Sequence, residues 1–187
     1  FLGMSRESAK REQEWAILDL GKKFEQALFI IRLLQNVFSR RFDEQTEYEL
    51  LSSVLNATQS MVTYRYTYRD HLQLSLLNDL LVLDVNYPKS LAYLTERIKT
   101  HIFAMPKPIK TQVKTEAEKL ILEAVNLLNL ADGHSLSVCD SQTSEYRNLK
   151  TLLDKLNTIL LEIDTLISKT YFKHTISPQQ LYVTNIL

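Results

Sequence analysis

Trp15-Ala16-Ile17-Leu18-Asp19-Leu20-Gly21-Lys22-Lys23-Phe24-Glu25-Gln26-Ala27-Leu28-Phe29-Ile30-Ile31-Arg32-Leu33-Leu34-Gln35-Asn36-Val37-Phe38 decides the fold class. Within it Ile17, Leu20, Phe24, Ala27, Ile31, Leu34 and Phe38 recur at spacings of three and four. That alternation is a heptad seam, and it predicts a long helix lying along its neighbours at a shallow angle. Trp15 and Leu28 widen the apolar face. Gly21 costs on the order of 1 kcal/mol in helix propensity, so a close helix–helix approach is expected beside it. A second seam of the same kind runs through Tyr146, Leu149, Leu153, Leu156, Leu160, Ile163 and Ile167, with Asp140 or Ser141 expected as its cap and Glu145 in its first turn.

Between the two seams the periodicity predicts further helices. Arg40 to Asp43 reads as a short connection. A second helix follows with Tyr48, Leu51, Leu55, Thr58 and Val62 on one face, running on through Tyr64–Asp70. A leucine-rich third carries Leu72, Leu76, Leu77, Leu80 and Leu83. A fourth carries Leu91, Leu94, Ile98 and Ile102, with Asn86 as the expected cap ahead of Pro88. Pro106 and Pro108 end it. A fifth shows Val113, Ala117, Leu120, Ala124, Leu127, Leu128 and Ala131, with Gly133 as its stop signal. His134 to Gln142 is the longest loop candidate, and Pro178 marks an irregular tail. The expected architecture is all-α, an antiparallel bundle of about six helices forming one domain over residues 1–187.

Composition agrees. Three glycines and four prolines in 187 residues disfavour an all-β fold and a glycine-rich phosphate cradle. Lys plus Arg and Asp plus Glu number 22 each, a balance that argues against a dedicated nucleic-acid binder. No apolar run approaches the roughly 20 residues of a membrane span. Phe1 to Arg11 is polar and charged rather than a signal peptide. With one cysteine, Cys139, no internal disulfide is possible, which fits a cytoplasmic chain. The first residue is not methionine and the pattern begins abruptly, so the chain reads as a piece of a longer one.

The motifs of metal and nucleophilic chemistry are missing. None of His71, His101, His134 or His174 has a glutamate three residues before it, as a di-iron bundle requires. There is no His-Glu-x-x-His, no Gly-x-Ser-x-Gly and no P-loop, so no metal or cofactor is expected and catalysis is not the first expectation.

The residues that stand out are polar and aromatic. Tyr64, Arg65, Tyr68 and Arg69 fall in one segment, and two readings of it stand side by side. Arginine forks and tyrosine faces suit capture of a carboxylate or phosphate. Equally, the rings can pack on the bundle while the arginines neutralise carboxylates. Asp84 lies where a helix end disfavours negative charge, and Asp79 borders the apolar stripe of the same helix. At least one of Arg65, Arg69 and Arg97 is therefore expected within salt-bridge reach of Asp79 or Asp84. Asn86 completes the candidate binding set. Glu25 and Glu96 read as surface glutamates, and Arg97, Lys99, Lys107, Lys110 and Lys114 as a solvated basic stretch.

Several separated motifs occur in an order that resembles the alpha-E domain family. They are Ser60-Met61-Val62-Thr63-Tyr64-Arg65-Tyr66-Thr67-Tyr68-Arg69, the leucine-rich helix ending at Asp84, and Asn86-Tyr87-Pro88-Lys89-Ser90-Leu91-Ala92-Tyr93. The runs Phe1–Ser8, Trp15–Ala27 and Tyr171–His174 are similar too, as is Pro178 to Leu181. The family is named for a Glu-Arg motif. The related position here reads Glu25-Gln26, and Tyr66 and Thr67 stand where the family tends to have arginine. The resemblance implies a bacterial helical domain of unknown function, with this chain as the C-terminal two-thirds of a member. It implies association with ATP-grasp or transglutaminase-like proteins, and hence an accessory, peptide-holding or partner-binding role in amide ligation. The residues leave two alternatives standing: an enzyme acting through the Arg/Tyr/Asp cluster, or a dimerisation domain using the two seams, a homo-oligomer.

Overall fold

The computed structural model describes residues 2–106 and 113–172, and for residues 2–14 and 172 only the backbone. The expected all-α class is what it shows: among the described residues there are helices and no strand. Helix α1 (Leu2–Val37) is the long helix the first seam predicts. Leu20, Phe24, Ala27, Ile31, Leu34 and Phe38 are all buried. Ile17 is 38% exposed, so burial of the seam begins only at Leu20, and Trp15, 68% exposed, lies away from the seam and does not widen its buried face.

Helices α5 (Leu91–Ala104), α6 (Glu116–Asn129) and α8 (Arg147–Ile167) complete a four-helix core with α1. Cross-helix contacts fix the directions. Asp19, midway along α1, meets His101 near the end of α5, while Lys89, just ahead of α5, lies beside Gln26 and Phe29 further along α1. Gln35 donates to Asp154 in the first half of α8, whereas Asp164 and Ile167 near its end lie beside Ile17 and Leu20. Both neighbours of α1 therefore run antiparallel to it. Every residue of the second seam is buried, Leu149, Leu153, Leu156 and Leu160 to 1% exposure each. Removing a core side chain of this size costs about 2–5 kcal/mol.

Helices α2 (Glu44–Ala57), α3 (Met61–Tyr68), α4 (Leu74–Asn78) and α7 (Gly133–Leu136) close one end of the bundle, and a π-helical turn (Asp79–Leu83) extends α4. Several expectations are corrected here, each for a local reason. The second helix does not run through Tyr64–Asp70. It stops at Ala57, Gln59 takes a left-handed φ of 52°, and α3 starts afresh. The break is held by polar groups: Thr58 bonds back to Val54 O, Tyr87 donates to the buried Ser60 hydroxyl at 2.8 Å, and Lys89 Nζ donates to Thr58 O at 2.9 Å and Gln59 O at 3.1 Å. A cation on the last carbonyls of a helix satisfies orphan acceptors and suits the dipole. Val62, beyond the break, is 84% exposed, and Tyr48 near the start of α2 is 50% exposed.

Asn86 does not cap α5. Ser90 does, accepting from the Tyr93 amide at 3.0 Å while its hydroxyl donates to Asp84 O. On α6 the Thr115–Glu118 capping box sets the start, and the buried stripe is Ile121, Ala124, Val125 and Leu128. Ala117, Leu120 and Leu127 are only partly buried against it, and Val113 precedes the helix and is exposed. Gly133 does not end α6, which is already finished at Asn129. It opens α7, capped by Asp132, whose carboxylate accepts from the Ser135 amide at 2.9 Å. Neither Asp140 nor Ser141 caps α8. Tyr146 stands at that position without a side-chain capping bond, and Asp140 instead accepts from the Gln142 amide and pairs with Arg147 at 2.7 Å. Glu145 thus lies ahead of the helix. Among the described residues no atom of a neighbouring element lies within 4 Å of where a Cβ on Gly21 would stand, so no close helix–helix approach among them accounts for that glycine. Pro108, Lys107, Lys110 and Pro178 lie outside the described residues.

Candidate functional site

The structure gathers part of the expected polar set and disperses the rest. Tyr64 is completely buried, because α3 turns this one residue into the core. Its hydroxyl donates to His71 O at 2.7 Å and accepts from the Gln73 amide at 3.1 Å, so the ring pins the loop that leads to α4. Tyr68 packs on it with ring centroids 5.1 Å apart. Asp79 and Asp84 are partly buried nearby. Burial first, and then the charge of Asp132, push the Asp79 carboxyl above the usual carboxylate range. Burial again, with the Asp79 charge second, raises Tyr68; for Tyr64 burial likewise outweighs a lowering bond from the Gln73 backbone.

The arginines do not join this group. Arg65, Arg69 and Arg97 are exposed, and among the described residues no ion pair links any of them to Asp79 or Asp84. The expected ion-paired layer is therefore not formed. With the helix broken at Thr58–Ser60, α3 faces its tyrosine inward, which turns Arg65 to solvent, and Arg69 is left at the helix end with φ 60°. Arg97 belongs to another neighbourhood, where it and Lys23 add positive charge around the Asp19–His101 pair. Burial opposes ionisation of Asp19, but the 2.7 Å bond to His101 and these cations outweigh it and lower its pKa. Asn86 is exposed and contributes its amide to Asp84 Oδ1 at 2.8 Å.

Beside the Tyr64 group lies a cleft of about 590 Å³ that the sequence did not announce. Its walls come from four separate stretches. The α1–α2 connection supplies Arg41 and Phe42, and α2 supplies Glu44, Glu47 and Tyr48. Gln73 comes from the loop before α4, and Ser137, Cys139 and Tyr146 from the α7–α8 connection. The Tyr146 hydroxyl donates to Glu47 Oε1 at 3.1 Å. Burial, then the Glu47 charge, push this phenol far above its ordinary value, so it stays protonated and remains a donor. The walls have a second layer. Gln73 rests on the Tyr64 hydroxyl, and Ser137 accepts from Asn78 Nδ2 at 3.1 Å while donating to Gly133 O at 2.7 Å. Asn78 is fully buried, and its Oδ1 has no partner among the described residues. Such a held wall is what keeps a binding surface in shape. Its chemistry is one of donors, acceptors and aromatic edges; among the described residues no three His, Cys, Asp or Glu side chains converge as a metal site would need. No helix among the described residues is long and apolar enough to cross a membrane.

Glu47 and Cys139 carried no motif in the sequence, and Tyr146 looked like one more seam residue. Only the fold brings Glu47 to Tyr146 across 99 positions of chain.

Three uncharacterized mycobacterial proteins are similar to this chain: Mb2597 of Mycobacterium bovis, and MT2643 and Rv2567 of Mycobacterium tuberculosis. Each is 28% identical over 104 residues, which is 56% of this chain and 12% of the relative. The chain thus matches only about an eighth of their length. No solved structure matches it. The Alpha-E family model, described as "a predicted alpha-helical domain with a conserved ER motif", matches residues 1–172. With that match spanning both seams, the tyrosine group and every wall of the cleft, the chain belongs to the Alpha-E family.

Proposed function

We propose that this chain is a partner-binding module whose cleft holds an extended polypeptide segment for a cytoplasmic ATP-grasp or transglutaminase-like enzyme. The observation that carries the reading is the cleft itself. It is the most capacious of the clefts described, and hydrogen bonds behind its walls fix its shape. It offers Arg41 to a carboxylate and Glu44 and Glu47 to an amine or amide, with aromatic edges at Phe42, Tyr48 and Tyr146. Peptides present that mixture of groups, and a held segment gains affinity when the receiving walls are already ordered. The ligation context rests on the family resemblance. Arg65 and Arg69, exposed on α3, remain available to an acidic group on the partner.

The test is direct binding. The ATP-grasp-like protein of the same genome is immobilised and the chain passed over it, wild type beside Glu47→Gln and Tyr146→Phe. Binding that either variant weakens about tenfold or more, with the helical signal unchanged, supports the reading. A wild-type chain that binds neither this protein nor the transglutaminase-like one overturns it.

A further inference from the structure

Helix α1 is apolar on two sides. At about 100° per residue, Trp15, Leu18, Lys22 and Phe29 fall within an arc of about 60°, roughly opposite the buried seam. Trp15, Leu18 and Phe29 are 68%, 57% and 51% exposed. Three large exposed apolar side chains aligned on one helix are the pattern of an unfilled helix–helix contact. The stripe continues as a heptad, with Trp15, Lys22 and Phe29 at one core position and Leu18, Glu25 and Arg32 at the other. Lys22, Glu25 and Arg32 are exposed, and among the described residues none of them has an ion-pair partner. Gly21 borders the stripe and faces open space.

From this we infer that α1 pairs antiparallel with α1 of a second copy, forming a two-fold dimer. The sequence of the stripe is complementary to itself read backwards. In an antiparallel coil the two core positions face each other, so Leu18 meets Phe29 of the partner, Lys22 meets Glu25, and Trp15 meets Arg32. All three layers are favourable: an apolar contact, an ion pair, and a guanidinium on an indole. The two-fold repeats each of them, giving six layers around a centre between Lys23 and Phe24. A parallel pairing in register would instead set Lys22 on Lys22, Glu25 on Glu25 and Arg32 on Arg32. Charge complementarity therefore selects both the occupant, a second copy, and its direction. A cleft of about 190 Å³ beside Phe29, closed by Ala57, Thr58 and Lys89, lies where the partner's Leu18 arrives. This surface is distinct from the cleft that holds Glu47 and Tyr146, so the inference stands apart from the proposed function.

Sedimentation equilibrium of the full chain at micromolar concentrations, with circular dichroism as the folding control, tests it. The wild type is expected to be dimeric, and Leu18→Glu and Phe29→Glu monomeric with unchanged helicity. Lys22→Glu should weaken association about tenfold or more, because it sets two negative charges against each other in each central layer. The double variant Lys22→Glu/Glu25→Lys should restore it. A monomeric wild type overturns the inference, since another occupant must then cover the stripe. So does a dimer indifferent to Leu18→Glu and Phe29→Glu, or a double variant no better than Lys22→Glu.

Discussion

The Tyr146 hydroxyl donates to Glu47 Oε1 at 3.1 Å, tying the head of α8 to α2 across the mouth of the cleft. The phenol is 4% exposed, so its proton is held by both burial and a neighbouring carboxylate. In the folded chain its pKa lies well above the ordinary 10.0. A raised pKa stabilises the fold fully below the unfolded value and progressively less above it. Stability should therefore fall as pH rises past about 10, where the unfolded chain releases this proton and the folded chain keeps it. Tyr146→Phe should cost about 1 kcal/mol at neutral pH and should make the alkaline decline shallower. Urea denaturation between neutral and alkaline pH measures both.

Gly133 is constrained by Asp79. A Cβ at Gly133 would stand 2.0 Å from Asp79 Oδ1 and 2.9 Å from the Ser75 carbonyl oxygen. Gly133→Ala should accordingly destabilise by about 1–3 kcal/mol, the range for overpacking a tight site. Most of that strain is against one side chain. In an Asp79→Ala background the same substitution should cost markedly less, and the remainder reports the Ser75 contact. Thermal denaturation of the four proteins of the cycle gives the coupling.

How far this could be seen beforehand differs by element. The two seams were legible because helical periodicity survives whatever packs against it, and Leu153 and Leu160 are as buried as Ile31 and Phe24 led one to expect. The break after Ala57 was not legible. Its cause is Lys89 and Tyr87 reaching back to Thr58, Gln59 and Ser60 from about 30 positions away. The missed break then misplaced Arg65 and Arg69, whose assignment to one buried face depended on a continuous helix. Tyr64, Tyr68, Asp79 and Asp84 do come together, since burial of Tyr64 and the course of α4 do not depend on that helix. The cleft was invisible for a similar reason: Arg41, Glu47, Gln73, Cys139 and Tyr146 share no spacing, only a location.

Lys89 is the most economical probe of the break. Its ammonium donates to Thr58 O and Gln59 O, two carbonyls that α2 leaves without helical partners. Bonds to a charged group contribute about 1.5–3 kcal/mol when partly shielded. Lys89→Met keeps the aliphatic stem and removes the charge, so it should lower stability by about 1–2 kcal/mol. Hydrogen exchange should locate the loss, with amides near Thr58–Ser60 exchanging faster and those of α8 unchanged relative to the global loss. An Arg at this position should recover part of the stability.

Asp79 offers the opposite sign. Its carboxyl is partly buried, is raised by that burial and by Asp132, and has no hydrogen bond or ion pair among the described residues. Its folded pKa exceeds its unfolded one, so its contribution is most favourable at acid pH and is lost as pH rises through the folded value. At neutral pH the ionised carboxylate is therefore a liability to the fold. Asp79→Asn keeps the shape and removes the charge, and the chain should melt higher at neutral pH than the wild type does. The advantage should shrink as the pH falls through the folded value and vanish below the ordinary aspartate value of 3.8, where the wild-type side chain is neutral in both states. The position also separates structure from binding. If Asp79 serves a ligand as part of the tyrosine group, Asp79→Asn should stabilise the chain and weaken partner binding together. A variant that melts lower at neutral pH would mean that the carboxylate is compensated, and would remove the reason for expecting it to be held for function.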